Sequence, residues 1–167
     1  MTTMQQQAAP DAGAVVIEPR MSNAATLVPE AYEGVQKMLM AISKGKLPAA
    51  TLELTHMRIS QINGCSACIE GSIRMIRKRG EQPDDRLYAV GAWHHSSLFT
   101  DAERAALELA EAMTRLADQP DAVPDAVWSH AAEHFTELEL AALLLHIGLI
   151  NLFNRLNVAT RQPAGDW

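Results

Sequence analysis

The feature that most constrains the fold is a long apolar segment near the C-terminus, residues 136–160, which reads TELELAALLLHIGLINLFNRLNVAT. It opens with Thr136 followed three residues later by Glu139, the capping-box pattern of a helix start. Between Leu138 and Phe153 nearly every side chain is apolar, so no face of this helix suits water. In a chain of 167 residues such a helix is either the centre of the fold or a subunit interface. We expect both, and therefore a homo-oligomer.

The remainder of the chain also divides into helical segments, with no convincing β-strand and no repeat. Alanine and leucine are abundant, and both are strong helix formers. Proline, glycine or a capping residue bounds most of the predicted segments. These segments are residues 29–45, 47–62, 65–79, 83–93, 100–116 and 123–135. The sequence therefore predicts an all-α fold.

The two ends of the chain differ from the helical region. Residues 1–25 are polar, contain prolines and a glycine, and lack periodicity, so we expect a flexible N-terminal arm. Residues 26–160 form the predicted helical domain, and residues 161–167 form a C-terminal tail. With 48% hydrophobic residues, one domain of this size can build its own core.

Charge and hydropathy exclude several classes of partner. The net charge is −6, and the basic cluster at residues 74–79 is typical of a solvated helix face, so we expect no nucleic-acid binding. The first residues do not resemble a signal peptide. We expect no apolar run long enough to cross a membrane. The sequence thus predicts a cytoplasmic protein without a membrane partner.

The segment QINGCSACIEGS, residues 61–72, contains both cysteines of the chain, Cys65 and Cys68. Residues three apart share a helix face, so the two sulfurs can meet. A helix start also offers free N–H groups and the positive end of the dipole, which stabilise a thiolate. The pattern favours a redox-active dithiol. Two packed thiols and half of a zinc site are the alternatives.

A zinc site would require two more ligands. The histidines do not form a second close pair with ligand spacing near the cysteines. We therefore expect neither a metal nor another cofactor. The histidines considered are His56, His94, His95, His130, His134 and His146.

Several segments resemble a known family. LELTHMRISQINGCSAC, followed by IRMIRKRG, AWHHSSLFTDAERAALELAEAMTRL and INLFNRLNVA, is similar to the AhpD-like alkylhydroperoxidase / carboxymuconolactone decarboxylase family over residues 25–160. The resemblance implies an all-helical bundle in which a helical hairpin carries the C-x-x-C. It implies homotrimers or hexamers. It also implies reduction of small peroxides at the two cysteines, with a dithiol protein or small thiol as reductant.

The resemblance also assigns roles to individual residues. In peroxidase members a glutamate lies twelve residues before the first cysteine, where this chain has Glu53. A histidine four residues after the second cysteine relays a proton, but this chain has Ser72 there. The implied site has Cys68 as attacking thiolate, Cys65 as resolving thiol, and Glu53 as base through water and Ser72. Serine holds a hydrogen bond but cannot replace imidazole as a base.

Three histidines are candidates for the missing imidazole. His56 follows Glu53 by three residues on the same helix face, and His94 and His95 follow Trp93 at a predicted helix end. Their ordinary alternatives are a partly exposed helix flank and a helix C-terminus. Because of Ser72, two other functions stay open: a decarboxylase of the same superfamily and a non-catalytic redox sensor.

Overall fold

The computed structural model describes residues 17–81 and 84–164, and within these ranges the regular structure is helical, as predicted. Eight α-helices and one 3-10 turn follow one another along the described chain. The helices are α1 Ala24–Leu27, α2 Pro29–Ser43, α3 Ala49–Asn63, α4 Ser66–Lys78, α5 Arg86–Ala89, α6 Asp101–Thr114, α7 Asp125–His134 and α8 Glu137–Thr160, with the 3-10 turn at Val90–His95 between α5 and α6.

Helix α8 is the central helix, as its apolar sequence predicts. It packs against α2, α3, α4, α6 and α7, and Leu143 and Ile147 are completely buried in the main core. The expectation that no segment is long enough for a membrane was wrong, because α8 meets that requirement by length and composition. A helix at the centre of a fold can meet the same requirement, and α8 packs against five other helices here.

Helices α3 and α4 form the predicted hairpin that carries the cysteines. Gly64 ends α3 in the left-handed conformation, with φ of 67°, which suits glycine. The chain then reverses, and α4 packs back along α3. Cys65 caps the start of α4, so the helix itself begins one residue later than predicted and ends at Lys78.

The predicted helix over residues 83–93 was wrong in its extent. Pro83 lies outside the described residues, and the helical part is only Arg86–Ala89 before the chain tightens into the 3-10 turn. Ala92 departs from helical geometry, with φ of −117° and ψ of 26°. The bend brings the indole N–H of Trp93 to the carboxylate of Glu111 on α6, at 2.8 Å. A contact this distant in sequence leaves no local signal.

Part of the predicted N-terminal arm is held on the domain. Residues 1–16 lie outside the described residues. Further along, the backbone N–H of Arg20 donates to the Thr160 carbonyl at the end of α8, at 2.8 Å. Asn23 caps the short helix Ala24–Leu27, which the sequence did not predict.

Helix α2 is buried at one end only. Ile42 lies in the core, whereas Tyr32 and Leu39, on the same predicted stripe, are exposed. The helix packs mainly against α8 and α1, so it is an edge helix of the bundle.

Two neighbouring histidines lie on α3 and α8, where His146 is buried and His56 is half-buried. The ring of His146 is buried, and its Nε2 lies 3.1 Å from the Leu52 carbonyl, so this nitrogen carries the proton as donor. Burial lowers the pKa of His146 to about 4. Burial, and then the neighbouring His146, lowers the pKa of His56 to about 4. Both rings are therefore neutral at neutral pH.

This pair predicts acid destabilisation. In the unfolded chain both histidines titrate near about 6.5, whereas the folded protein keeps them neutral down to about 4. Unfolding therefore takes up protons in this window. The contribution of the two histidines to the free energy of unfolding is complete above about pH 6.5. It is lost as the pH drops from there towards 4.

Urea unfolding measured from about pH 7 to about pH 5 tests this. His146→Gln keeps a donor for Leu52 and removes one titrating ring, so it should reduce the pH slope by about half. His134→Gln, which replaces an exposed histidine, is the matched control and should leave the slope unchanged. An unchanged slope in His146→Gln would contradict the assignment.

Candidate functional site

The two cysteines are joined by a disulfide at the start of α4. Cys65 is the residue before the helix, and Cys68 is its third residue, with 5.3 Å between their Cα atoms. Both are nearly buried, with 1% of Cys65 and 8% of Cys68 exposed. The geometry confirms that the C-x-x-C spacing brings the two sulfurs together.

Each sulfur accepts a hydrogen bond. The backbone N–H of Cys68 donates to Cys65 Sγ at 3.3 Å, within the first turn of the helix. The side-chain amide Nδ2 of Asn157, on α8, donates to Cys68 Sγ at 3.4 Å. Donors of this kind stabilise a sulfur that carries negative charge.

An open cavity of about 360 Å³ lies against the disulfide. Cys65 is part of its wall, and Arg161 contributes a positive charge. Two apolar side chains, Ile17 and Val158, lie on the same wall. The cavity can admit a small molecule or an extended thiol to the Cys65 side of the pair.

A row of asparagines on α8 holds the end of α3 beside the cysteines. Asn63 donates to Asn151 at 3.0 Å and to Asn154 at 2.9 Å. Asn154 is fully buried and donates to Ser60 at 3.2 Å. Asn157 continues the row towards Cys68. This row was not among the residues predicted from the sequence, although the three-residue spacing within NLFNRLN indicates one helix face.

Glu53 and Ser72 are on the hairpin but are not joined. Glu53 lies ten residues before the end of α3, about 15 Å along the helix axis. Within the described chain, the hydrogen bond of Glu53 goes to Arg79 at 2.6 Å, not to Ser72 or a cysteine. Hydrogen bonds to Glu81 and to Glu53 raise the pKa of Arg79. Ser72 is half-buried on α4.

The candidate histidines lie in other surroundings. His56 is half-buried on α3, beside His146. His94 stacks on Trp93, with 3.7 Å between ring centres, and its Nε2 is 3.7 Å from the Glu111 carboxylate. His95 is exposed. Among the contacts of the described residues, none joins these rings to a cysteine.

Glu111 is the centre of a second polar cluster, away from the disulfide. Burial would raise its pKa, but the N–H groups of Trp93 and Arg58 stabilise the carboxylate, and its pKa lies below the usual value. In residues 17–81 and 84–164, no group of three or more His, Cys, Asp or Glu side chains could hold a metal ion.

Comparison with known sequences identifies the family. The sequence model of the carboxymuconolactone decarboxylase family matches residues 28–112, about half of the chain. The uncharacterized protein YdfG of Bacillus subtilis is 33% identical over 140 residues, which cover 84% of this chain and 93% of that protein. The chain belongs to the carboxymuconolactone decarboxylase family. The uncharacterized protein YnjA of Escherichia coli is 37% identical over 122 residues, covering 72% of this chain and 64% of that protein.

Solved structures share the fold. A crystal structure from Agrobacterium tumefaciens, described as a protein of unknown function and a candidate antioxidant defence protein AhpD, is similar with a TM-score of 0.77 and 27% identity over 90% of this chain and all of that chain. The debrominase Bmp8 has a TM-score of 0.69 with 21% identity, over 82% of this chain and 72% of that chain. A Bmp8 variant in complex with 2,3,4-tribromopyrrole has a TM-score of 0.71 with 17% identity, over 93% and 94% of the two chains. The Bmp8 likenesses indicate the fold alone.

The AhpD-like assignment made from the sequence motifs is therefore confirmed. The carboxymuconolactone decarboxylase family match spans α2 to most of α6 and includes both cysteines, Glu53 and Ser72. The asparagine row on α8 lies beyond the matched residues.

The asparagine row predicts a measurable coupling between α3 and α8. Asn154→Ala removes a buried amide and leaves Ser60 and Asn63 each without one partner, so it should cost about 2 kcal/mol of unfolding free energy. A double-mutant cycle with Ser60→Ala should show coupling of about 1 kcal/mol. A cycle with Thr136→Ala, at the opposite end of α8, should be additive. Additivity in both cycles would mean that the row does not join the two helices.

Proposed function

We propose that this protein is a dithiol peroxidase that reduces small peroxides through a thiol–disulfide cycle of Cys65 and Cys68. The observation that carries the proposal is the disulfide at the start of α4, against an open cavity. A helix start favours the thiolate form of a reduced cysteine. The AhpD-like family assignment supports the same class of chemistry.

The cycle has three balanced steps. The Cys68 thiolate attacks one peroxide oxygen, and with one proton the O–O bond breaks to give Cys68 sulfenic acid and an alcohol or water. The Cys65 thiol then attacks the sulfenic sulfur, which forms the disulfide and releases water. A dithiol protein or two small thiols reduce the disulfide, are themselves oxidised to a disulfide, and return both cysteines to thiols.

The cavity supports this division of roles. Cys65 is part of the cavity wall, and in the proposed cycle the reductant thiolate attacks the Cys65 sulfur from this side. Attack on that sulfur releases Cys68 as the leaving thiolate. Cys68 then begins the next turnover in its reactive form. The cytoplasm, which the sequence predicts as the location, is reducing and would supply such thiols.

A redox sensor without fast peroxide turnover is the second candidate. It is favoured by the hydrogen bond of Glu53 with Arg79, because the glutamate is then engaged by Arg79 and not by Ser72. The two candidates share the disulfide and differ in rate and in the need for a reductant.

Thiol titration separates these candidates. Reduced protein, mixed with stoichiometric alkyl hydroperoxide, should lose two thiols per chain, faster than a free thiol of pKa about 8.5. Cys68→Ser should abolish this loss, whereas Cys65→Ser should still be oxidised and stop at the sulfenic acid. Sustained turnover with an added dithiol reductant supports the peroxidase. Paired but slow loss without turnover supports the sensor, and rapid oxidation of Cys68→Ser would refute both.

The proposed functional unit is a homo-oligomer, a trimer or hexamer as the family resemblance implies. Leu138, Leu145 and Leu152 lie seven residues apart on α8 and are 61%, 41% and 47% exposed. Seven-residue spacing keeps them on one side of the helix, as in helix pairs that pack along a leucine seam. In the proposed assembly, a second copy of the chain covers this row.

Sedimentation velocity tests the assembly. Leu145→Glu should shift the protein towards monomer, because a carboxylate would be buried in an apolar contact. Leu116→Glu places the same charge on an exposed leucine outside α8 and should leave the oligomer intact. A wild-type protein that is monomeric at micromolar concentration would refute the assembly.

A further inference from the structure

We infer that Asn157 is the hydrogen-bond donor that stabilises the Cys68 thiolate in the reduced protein, and that Asn23 is a positioning residue that fixes the orientation of the Asn157 amide. The inference rests on the proposed thiol–disulfide cycle of Cys65 and Cys68. It adds a polar group from α8, and one from the segment before α1, to a site otherwise built on the α3–α4 hairpin.

The orientation of the two side-chain amides is set by a backbone N–H group, which can act only as a donor. The backbone N–H of Ala25 donates to Asn23 Oδ1 at 2.9 Å, as the cap of α1. A backbone N–H is always a donor, so it requires the oxygen of the Asn23 amide. The Nδ2 group of Asn23 is then left to face Asn157.

The Asn23 amide in turn orients the Asn157 amide. Asn23 Nδ2 donates to Asn157 Oδ1 at 3.3 Å. Asn157 must therefore keep its oxygen towards Asn23 and its Nδ2 towards Cys68 Sγ, 3.4 Å away. If the Asn157 amide were reversed, two nitrogens and an oxygen–sulfur pair would face each other. The backbone of α1 thus determines that the sulfur meets a donor.

The surroundings make this donor effective. Asn157 is 5% exposed and Cys68 is 8% exposed, so water competes little for the sulfur. A hydrogen bond to the charged form favours that form, and the effect is greater where water is excluded. The family's relay position is occupied by Ser72, and the Glu53 carboxylate is bound to Arg79. The amide of Asn157 therefore stabilises the thiolate by a hydrogen bond, without relaying a proton.

The charged groups on the elements around Cys68 are engaged elsewhere or exposed in several cases. Glu53 and Arg79 pair with each other, and Arg155 binds the Asn151 side chain. Glu70 is exposed on α4. Arg161 lines the cavity wall, and the side chain of Arg20 donates to the Ala159 carbonyl near the end of α8. Helix α4 also carries Arg74, Arg77 and Lys78.

The experiment measures the pH dependence of Cys68 alkylation by iodoacetamide. It uses the full chain with Cys65→Ser, so that Cys68 is the single thiol. Asn157→Leu removes the donor at similar volume, and it should move the alkylation profile to higher pH, with about tenfold less thiolate near neutral pH. The melting temperature of each variant is recorded to show that it is folded.

Asn23→Asp tests the orientation without changing Asn157. Aspartate keeps an oxygen for the Ala25 N–H. Its second oxygen would face Asn157 and accept a hydrogen bond only from the Nδ2 group of Asn157. The Asn157 oxygen would then face the sulfur, so the profile should move in the same direction as in Asn157→Leu. Asn23→Ala leaves Asn157 free to turn, so its profile should move in the same direction as that of Asn23→Asp, but by less.

Ser22→Asp is the matched charge control. It adds the same charge on an exposed neighbour of Asn23 without reversing an amide, and solvent should screen it to less than about a twofold effect. A parental profile in both Asn157→Leu and Asn23→Asp would overturn the inference. An equal shift in Ser22→Asp would overturn the role of Asn23. If Asn157→Leu does not fold, Asn23→Asp alone decides.

The alkylation profile does not depend on the oxidant. If the profiles shift as expected while the wild-type protein turns over no peroxide, the peroxidase proposal fails and the donor role of Asn157 stands. If peroxide turnover is fast and the profiles do not move, the converse holds.

Discussion

The need to satisfy buried amides on α8 is the constraint on which the site depends. The helix is apolar along most of its length, but near its end it presents Asn151, Asn154 and Asn157 to the interior. A buried amide without partners costs far more than a paired one contributes. The partners are on the α3 end, chiefly Asn63 and Ser60. Apolar packing brings α3 and α8 together, and these hydrogen bonds fix the position of the C-terminal end of α3 along α8.

The position of the dithiol follows from the position of this end of α3. Once Asn63 is held, Gly64 turns the chain with a positive φ, and Cys65 caps the next helix. Cys68 then lies one turn into α4, within reach of Asn157. The sulfurs are thus placed by a short path of hydrogen bonds and one glycine, while the larger core sets only the general direction of the helices. A functional pair beside a cavity needs this finer control, since small displacements decide which sulfur an incoming thiol meets.

Local rules explain which parts could be predicted from sequence. Thr100 and Thr136 form the two capping boxes as expected, because a capping box is complete within four residues. The C-x-x-C pairing is equally local. The bend near Trp93, within the predicted helix over residues 83–93, was not predictable from local rules, because it places the indole N–H of Trp93 against Glu111 on another helix. The family resemblance singled out Glu53, but its bond to Arg79 depends on how α4 folds back, which spacing alone does not contain.

An amide and an imidazole serve a thiol differently. Imidazole can both accept and return a proton near neutral pH, whereas an amide only donates a hydrogen bond. The Asn157 contact therefore helps every step in which Cys68 is a thiolate, either as attacker or as leaving group. It does nothing to protonate the oxygen that departs from a peroxide, so water must supply that proton. Thiol–disulfide exchange, in which Cys68 departs as a thiolate, is the step that this geometry serves most completely. Ser72 is therefore expected to slow the peroxide half of the cycle more than the reduction of the disulfide.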